Sequence, residues 1–252
     1  MDTQERRNWR VKHWRSYVKN TVRRYINDRG FSLKPYDKHH CIFVHIPKCA
    51  GMSVTRSLFG ENSGGAGHLT MTDYLGIFSA QDMENYFKFS IVRNPWSRLV
   101  SAYTFMKKGG LHSHDAAWAA AHLAEYDDFK SFVHGWLNET NIYKGLHFMP
   151  QHHFLLHEGD TDLSRYDFIG YQENLDEDFP IIAQAINSPG QLKPVNVTGR
   201  KRNYTNFYDE ETKEIVANIY RKDIELLGYN FDNSSLPEMI AARDKNPDFV
   251  TS

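Results

Sequence analysis

Three short apolar segments, each followed by a longer helical pattern, dominate the order of hydrophobic and polar positions in this chain. The segments are Cys41–Ile46, Phe87–Val92 and Asp167–Tyr171, and they are rich in β-branched and aromatic residues. After each one comes a turn and then apolar residues at helical spacing. This alternation predicts an α/β fold with a central, mainly parallel sheet flanked by helices.

The segment after the first predicted strand has the features of an anion-binding loop. Pro47 ends the strand because it lacks an amide donor, and Gly51 lets the backbone come close to a ligand. A helix that starts near Ser53 offers unpaired N–H groups to a phosphate, and Lys48 adds a positive charge. An ordinary strand-to-helix connection with a solvated lysine is the alternative, and this segment alone does not decide between them.

A second strand-to-helix segment, FKFSIVRNPWSRLVSAYTFM, places Arg93 at the end of its strand. Ligands in open α/β sheets lie beyond the carboxyl ends of the strands, so Lys48 and Arg93 are expected to converge if the two strands are parallel neighbours. Ser101 follows Arg93 by two helical turns and offers a hydroxyl to the same anion. For Arg98 we expect a salt-bridged or solvated position on the helix.

Features of a magnesium-dependent nucleotide site are missing from both segments. In a Walker loop the lysine precedes Ser or Thr, and a second strand supplies a metal-binding aspartate. Here Cys49 follows Lys48, and Arg93 ends the second strand. Two anion sites without a metal ligand favour a nucleotide with phosphates at its 5′ and 3′ positions over ATP.

The sequence resembles PAPS-dependent sulfotransferases, in particular the carbohydrate-type branch of heparan-like, chondroitin-like and bacterial enzymes. HIPKCAGMS (residues 45–53) resembles the 5′-phosphosulfate loop of that family, and RNPWSRLVSAY (residues 93–103) resembles its 3′-phosphate motif. YRKDIELLGY (residues 220–229) is similar to its closing helix, so the resemblance spans residues 41–231. The resemblance implies a P-loop-like, three-layer fold, with PAPS as the sulfuryl donor, PAP as the product and a glycan as the hydroxyl-bearing acceptor.

Carried over to this chain, the resemblance implies a set of donor-binding residues. They are Pro47, Lys48, Cys49, Ala50, Gly51, Met52, Ser53, Arg93, Ser101 and, on a late basic loop, Arg200 and Lys201. Cys49 and Met52 stand where hydroxyl residues are common in the family, which leaves more of the binding to backbone amides and Ser53. A nucleotide-binding protein or small-molecule kinase of P-loop type is the alternative function.

Sulfuryl transfer needs positive charge at the leaving oxygen and a base for the acceptor hydroxyl. Lys48 is the candidate for the charge. His68, in GGAGHLTMTDY, is the candidate base, because its position resembles that of a catalytic histidine in heparan-type enzymes. It has an alternative role as a cap or packing group of the helix that begins near Thr70. His152 and His153 are the rival bases, and the Pro-Gln pair before them resembles an acceptor-side element.

Histidine clusters also raise the possibility of a metal site, but their spacing closes no ligand set, so we predict that no metal is required. Two cysteines cannot build a disulfide framework, and no apolar run is long enough to span a membrane. We therefore expect a reducing, cytoplasmic location. No nucleic-acid partner is expected, and the sequence leaves the oligomeric state and the acceptor open.

Basic charge is concentrated at the start of the chain, where residues 1–40 hold eleven Lys and Arg against four Asp and Glu. Trp14, Val18, Val22 and Tyr25 recur at helical spacing and predict a basic amphipathic helix that docks its apolar face on the protein. A role at a membrane surface or with a polyanionic acceptor is the alternative. We expect a helical extension over residues 1–40, a sulfotransferase domain over 41–231 and a polar tail over 232–252.

Overall fold

The structure is a computed structural model that describes residues 1–26, 31–60, 67–193 and 203–245. Its strands within these ranges are β1 (Cys41–Val44), β2 (Phe87–Val92) and β3 (Phe168–Tyr171). Its α-helices there are α1 (Thr3–Lys12), α2 (Trp14–Tyr25), α3 (Lys34–His39), α4 (Gly51–Phe59), α5 (Met71–Ile77), α6 (Ala80–Asn85), α7 (Pro95–Lys107), α8 (Ser113–Leu123), α9 (Phe129–Gly135), α10 (Gln151–Leu155), α11 (Leu175–Ala185), α12 (Glu210–Ile219), α13 (Arg221–Leu227) and α14 (Leu236–Asp244).

The described strands form one parallel sheet in the order β1-β2-β3. Cys41 lies opposite Phe87, and Phe89 lies opposite Phe168. All residues of β1 and β3 are buried, as expected for parallel strands covered on both faces. Helices α3 and α11 pack against β1 and β3. The predicted α/β class with a central parallel sheet flanked by helices is confirmed, although β1 ends two residues before the predicted Ile46.

The chain forms two compact units. Unit 1 consists of residues 1–92, 153–196 and 243–252 and contains the sheet, whereas unit 2 consists of residues 93–152 and 197–242. An aromatic core stabilises unit 2, and Phe132 stacks on Trp136 within it at 5.4 Å between ring centroids. Helix α9 places Phe129, Phe132 and Val133 in this core.

Strand β1 is held on its edge by two tyrosines from different helices. The hydroxyl groups of Tyr36 and Tyr74 both donate to the carbonyl oxygen of Phe43, at 3.0 Å each. On the side toward β2, the hydroxyl of Ser90 donates to the carbonyl oxygen of Val44 at 2.7 Å. These bonds fix the last two residues of β1, which lead into the predicted anion-binding loop.

The N-terminal helices dock differently from the prediction. A break at His13 divides them, and α1 packs Trp9 so closely over Gly76 that a Cβ atom there would lie 2.1 Å from the indole ring. Helix α2 buries the polar residues Asn20 and Arg24, and Arg24 pairs with Asp37 at 2.6 Å. The expectation that α2 docks through its apolar stripe is therefore wrong, because hydrogen bonds and ion pairs hold its polar face.

The described part of the predicted polar tail over residues 232–252 extends to residue 245. It contains α14, and the guanidinium group of Arg243 is buried in unit 1, where it pairs with Asp178 at 2.9 Å. Arg243 also lies 4.4 Å from the centroid of the Phe168 ring of β3.

None of the helices in the described ranges combines the length and the apolar character that crossing a bilayer requires. Cys41 and Cys49 are both buried and not disulfide-bonded. Burial also raises the pKa of the Cys41 thiol far above its usual range. The cytoplasmic location and the domain boundaries at residues 40 and 231 stay predictions.

Candidate active site

The loop between β1 and α4, residues 45–50 and hereafter the β1 loop, has a strained backbone. Lys48 and Ala50 adopt left-handed conformations, with φ angles of 70° and 59°. For a residue with a side chain this region costs about 1–2 kcal/mol. Such strain concentrates at ligand-binding turns, where successive N–H groups form a concave surface that suits an anion.

Helix α4 begins at Gly51, two residues before the predicted start at Ser53. Its N-cap residue is Ala50, whose methyl group cannot accept a hydrogen bond from the first turn. By contrast, Thr70 and Asn94 cap α5 and α7 with their own side chains. The N-terminus of α4 thus combines backbone donors, the positive end of the helix dipole and the nearby Lys48, which together suit a phosphate or sulfate group.

The side chains of the β1 loop and the first turn of α4 divide between the interior and the surface. Pro47, Cys49, Gly51 and Ser53 are buried, whereas Lys48, Ala50 and Met52 are half-buried. The Cys49 thiol contacts the carbonyl oxygen of Pro47 at 3.7 Å, so its side chain turns toward its own loop. Recognition of an anion by this segment therefore rests on the backbone and Lys48 more than on side-chain hydroxyls.

Protein packing requires a residue without a Cβ atom at position 51, and the predicted approach of a ligand to Gly51 stays a prediction. A Cβ atom at this position would lie 1.9 Å from Cδ2 of His45. The His45 ring stacks on Phe43 at 5.5 Å and is 5% exposed. Burial, together with the neighbouring His68, holds the pKa of His45 well below its ordinary value, so the ring is neutral.

His68 contacts the β1 loop directly. Its Nδ1 lies 2.9 Å from the carbonyl oxygen of His45, and the two imidazole rings are 4.4 Å apart. Because a carbonyl oxygen only accepts, Nδ1 is the donor in this contact. Thr70 and Asp73 form the capping box of α5, so the alternative role of His68 as the helix cap is wrong.

In unit 2, the residues after β2 are fixed mainly by side chains. Asn94 is fully buried and accepts from the amides of Trp96 and Ser97 at the start of α7. Nε of Arg93 donates to the hydroxyl of Ser97 at 3.0 Å, which holds the guanidinium group along the first turn. Ser101 is half-buried on the same helix. Arg98, predicted to be solvated or salt-bridged, is 2% exposed.

Two buried residues that were not among the predicted site residues support Arg93. The side-chain amide of Gln151 accepts from the Arg93 N–H at 3.0 Å and donates to the Arg93 carbonyl oxygen at 2.7 Å. Asp223 in turn accepts from the backbone amides of Gln151 and His152 at 2.6 and 2.8 Å. Its Oδ1 also lies 2.6 Å from Nδ1 of His152. The Pro-Gln resemblance was the only signal that pointed to this cluster.

Of the predicted site residues, the structure places His68 against the β1 loop that carries Lys48, within unit 1. It also confirms that β1 and β2 are parallel neighbours, which was the stated condition for the convergence of Lys48 and Arg93. That convergence itself stays a prediction. Arg200 and Lys201 lie outside the described residues, and no group of three His, Cys, Asp or Glu side chains within the described ranges is placed to hold a metal.

Comparison with known proteins places these motifs in one family. The sequence model of the family described as "Sulfotransferase family" matches residues 35–230, close to the span of 41–231 expected from the motifs. The chain is also 26% identical to Carbohydrate sulfotransferase 10 of Xenopus laevis, over 82% of this chain and 69% of that protein. No solved structure matches the chain. The match agrees with the resemblance seen in the two strand-to-helix segments.

Proposed function

Because this chain belongs to the sulfotransferase family and is an enzyme of that class, we propose that it transfers a sulfuryl group from PAPS to a hydroxyl group of a carbohydrate. The observation that carries the proposal is the strained β1 loop, which leads into the N-terminus of α4 beside Lys48. A carbohydrate acceptor is inferred from the printed name of the similar Xenopus laevis protein.

In this proposal the two ends of the donor bind to different segments. Residues 47–53 bind the 5′-phosphosulfate through backbone amides, Lys48 and Ser53. Arg93 and Ser101 bind the 3′-phosphate, and Arg200 and Lys201 contribute further positive charge. Support comes from the parallel pairing of β1 and β2, because the two segments follow the carboxyl ends of adjacent strands.

The proposed reaction is an in-line displacement at sulfur. A bond forms between the acceptor oxygen and sulfur while the bond from sulfur to the 5′-phosphate oxygen breaks, and PAP leaves. The Lys48 ammonium group neutralises the charge that develops on the departing phosphate oxygen. Because this charge grows most in the transition state, loss of Lys48 is expected to lower kcat more than it weakens donor binding.

His68 is the proposed base for the acceptor hydroxyl. The bond from Nδ1 to the His45 carbonyl holds the ring against the β1 loop, and Nε2 is the nitrogen proposed to take the proton. His152 is the rival, because Asp223 orients its ring in the way that a carboxylate orients a catalytic histidine. We favour His68 over His152 as the base because His68 contacts the loop that carries Lys48 and lies in the same unit as that loop.

Calorimetric titration with adenosine 3′,5′-bisphosphate in the presence of EDTA tests the donor site. We expect binding without a divalent cation, and no comparable binding of ATP with magnesium. Lys48→Ala should lower kcat by roughly 10²–10³-fold with labelled PAPS, and Lys48→Arg should recover part of the loss. Lys108→Ala, which removes an exposed lysine, is the matched control. A preference for Mg-ATP would overturn the proposal.

The two histidines are separated by their pH profiles. His68→Ala should lower kcat by roughly 10²–10⁴-fold and remove the acidic limb of the kcat profile. His152→Ala should raise the KM for PAPS and keep that limb, because its loss disturbs the Asp223 and Gln151 cluster behind Arg93. His114→Ala, at an exposed position, serves as the control. Near-normal turnover by His68→Ala would instead assign the base to His152.

A further inference from the structure

Helix α2 carries its apolar and polar residues on the opposite faces from those of an ordinary surface helix. Trp14, Val18, Val22 and Tyr25 form a stripe along it and are 58%, 51%, 43% and 62% exposed. The face turned inward holds Asn20 and Arg24, which are 1% and 7% exposed. A helix that only supported the fold would bury the stripe and expose the polar residues.

Ion pairs and a hydrogen bond fix the inward face of α2, so the exposure of the apolar stripe follows from defined contacts. Arg24 pairs with Asp37 at 2.6 Å and with Asp82 at 2.9 Å, and its guanidinium group lies 4.1 Å from the centroid of the Phe78 ring. The backbone carbonyl of Arg23 accepts from the amide of Leu33 at 2.9 Å. To bury its stripe, α2 would have to break these contacts and leave Asp37 and Asp82 without their cation.

Positive charge borders the apolar stripe. Arg15 and Lys19 are exposed and follow Trp14 and Val18 by one residue each, so they form a second row along the helix. The guanidinium group of Arg15 lies 5.4 Å from the centroid of the Trp14 ring. Residues 6–26 contain eight Lys and Arg and no Asp or Glu. The surface therefore combines apolar side chains, an aromatic residue at each end and the positive charges of Arg15 and Lys19.

We propose that this surface, Trp14, Val18, Val22 and Tyr25 with Arg15 and Lys19, binds the surface of an anionic lipid bilayer. Apolar and aromatic side chains would enter the boundary between headgroups and acyl chains. The long basic side chains would lie beside them and contact lipid phosphate or carboxylate groups. One ligand thus covers both rows.

Other occupants satisfy only part of this surface. A second copy of the chain would bring Arg15 and Lys19 against the same positive charges, which repel. A sulfated or carboxylated glycan would neutralise the basic row but leave Trp14 and the valines in water. The bilayer is preferred because its charged headgroups lie beside its apolar acyl region, as the basic row of α2 lies beside the apolar stripe.

Vesicle sedimentation with the full chain tests the proposal. We expect binding to vesicles of phosphatidylcholine mixed with phosphatidylserine, and much weaker binding to phosphatidylcholine alone. Raising the salt concentration should weaken the binding. The double variant Val18→Ser and Val22→Ser should lower the partition coefficient about tenfold or more, because it removes apolar area from the bound state. Arg15→Glu with Lys19→Glu should abolish the preference for the anionic lipid.

Matched controls distinguish vesicle binding by this surface from nonspecific binding of the protein to vesicles. Ile181→Ser removes an exposed apolar side chain from α11, and Lys108→Glu reverses an exposed charge elsewhere, so both should bind vesicles like the unmodified protein. Circular dichroism checks that the α2 variants fold, which is expected because every altered residue is exposed. A blue shift of fluorescence on vesicles that Trp14→Phe removes would place this residue in the bilayer.

Three results would overturn the proposal. One is equal binding of the α2 variants and the controls to anionic vesicles. The second is a concentration-dependent dimer, seen by analytical ultracentrifugation, that Val18→Ser with Val22→Ser dissociates. The third is absence of vesicle binding together with binding of heparin that Arg15→Glu with Lys19→Glu abolishes. Activity toward PAPS is not part of the test, so the membrane proposal and the proposed function fail independently.

Discussion

The β1 loop and the residues that follow β2 are both proposed to bind an anion, but different interactions fix their conformations. Both segments lead from a parallel strand into a helix. In the β1 loop, Lys48 and Ala50 hold left-handed conformations and no polar side chain stands at the N-cap. After β2, Asn94 caps the helix and Gln151 bonds both polar groups of the Arg93 backbone.

This difference indicates which substitutions each segment tolerates. A site formed by backbone N–H groups depends on φ and ψ angles and on packing, so Cys49 and Met52 can replace hydroxyl residues without removing the donors. A site formed by an arginine side chain depends on the partners that fix its direction. Substitutions in the β1 loop should therefore act through conformation, and those around Arg93 through lost hydrogen bonds.

The strongest expected effect comes from Gly51→Ala. Its methyl group would overlap the His45 ring, and displacing this buried ring should lower the free energy of unfolding by about 3 kcal/mol. Chemical denaturation measures the loss. A double-mutant cycle with His45→Ala is the control, because removal of the ring should make the added methyl group nearly harmless. Additive losses would contradict the proposed overlap.

Loss of the Gln151 side chain should have the next largest effect. Gln151→Leu leaves the Arg93 N–H and carbonyl oxygen without these partners, at a cost of about 2 kcal/mol. We expect weaker binding of adenosine 3′,5′-bisphosphate by calorimetry and a raised KM for PAPS, with kcat changed less. Gln172→Leu, in the 3₁₀ turn after β3, is the control. A fall in kcat without a change in KM would contradict this positioning role.

Acid should weaken the packing behind the β1 loop. The lowered pKa of His45 means that the unfolded chain binds a proton below about pH 6.5 while the folded chain does not. Stability should therefore fall as the pH decreases below that value, by at most about 1.4 kcal/mol per pH unit from this group. Urea denaturation at several pH values measures the slope. His45→Gln should reduce it, although His157, whose pKa burial also lowers, should leave a residual slope.

Ala50→Gly should have the smallest effect and the opposite sign. Glycine adopts the left-handed conformation without the side-chain penalty, so we expect a gain of about 0.5 kcal/mol after the entropy of the unfolded chain is included. Nucleotide affinity should stay within about twofold, because the backbone donors remain. The control is Ala120→Gly, an exposed position inside α8, which should lose about 1 kcal/mol. A loss at both positions would show that Ala50 is not strained.

Local pattern was sufficient to predict the elements that depend on local chemistry. Strand β2 has the predicted bounds, because its apolar run ends directly at the Arg-Asn-Pro turn. Helix α5 begins just after Thr70, where the Thr-x-x-Asp capping box is visible in the sequence. The parallel sheet followed from strands separated by helical segments. The sequence identified the loop of Lys48 by its Pro, Lys and Gly spacing, but not its left-handed residues.

Features that depend on distant partners were missed. Gln151 and Asp223 are 72 positions apart in the chain, and nothing near either residue indicates their hydrogen bond. The direction of α2 was predicted wrongly because hydrophobic periodicity alone assumes that the apolar face is the buried face. Here Asp37 and Asp82, on other elements, decide the orientation through Arg24. Long-range ion pairs leave no periodic signal in the sequence.

The two tyrosine hydroxyls on Phe43 have a consequence for how the folded protein behaves at high concentration. In the described sheet β1 is an outer strand, and an exposed outer strand is a template for pairing with another chain. Tyr36 and Tyr74 use both lone pairs of the Phe43 carbonyl oxygen, an acceptor that an incoming strand would need. The strand that positions the candidate active site is thereby protected from intermolecular β-sheet growth.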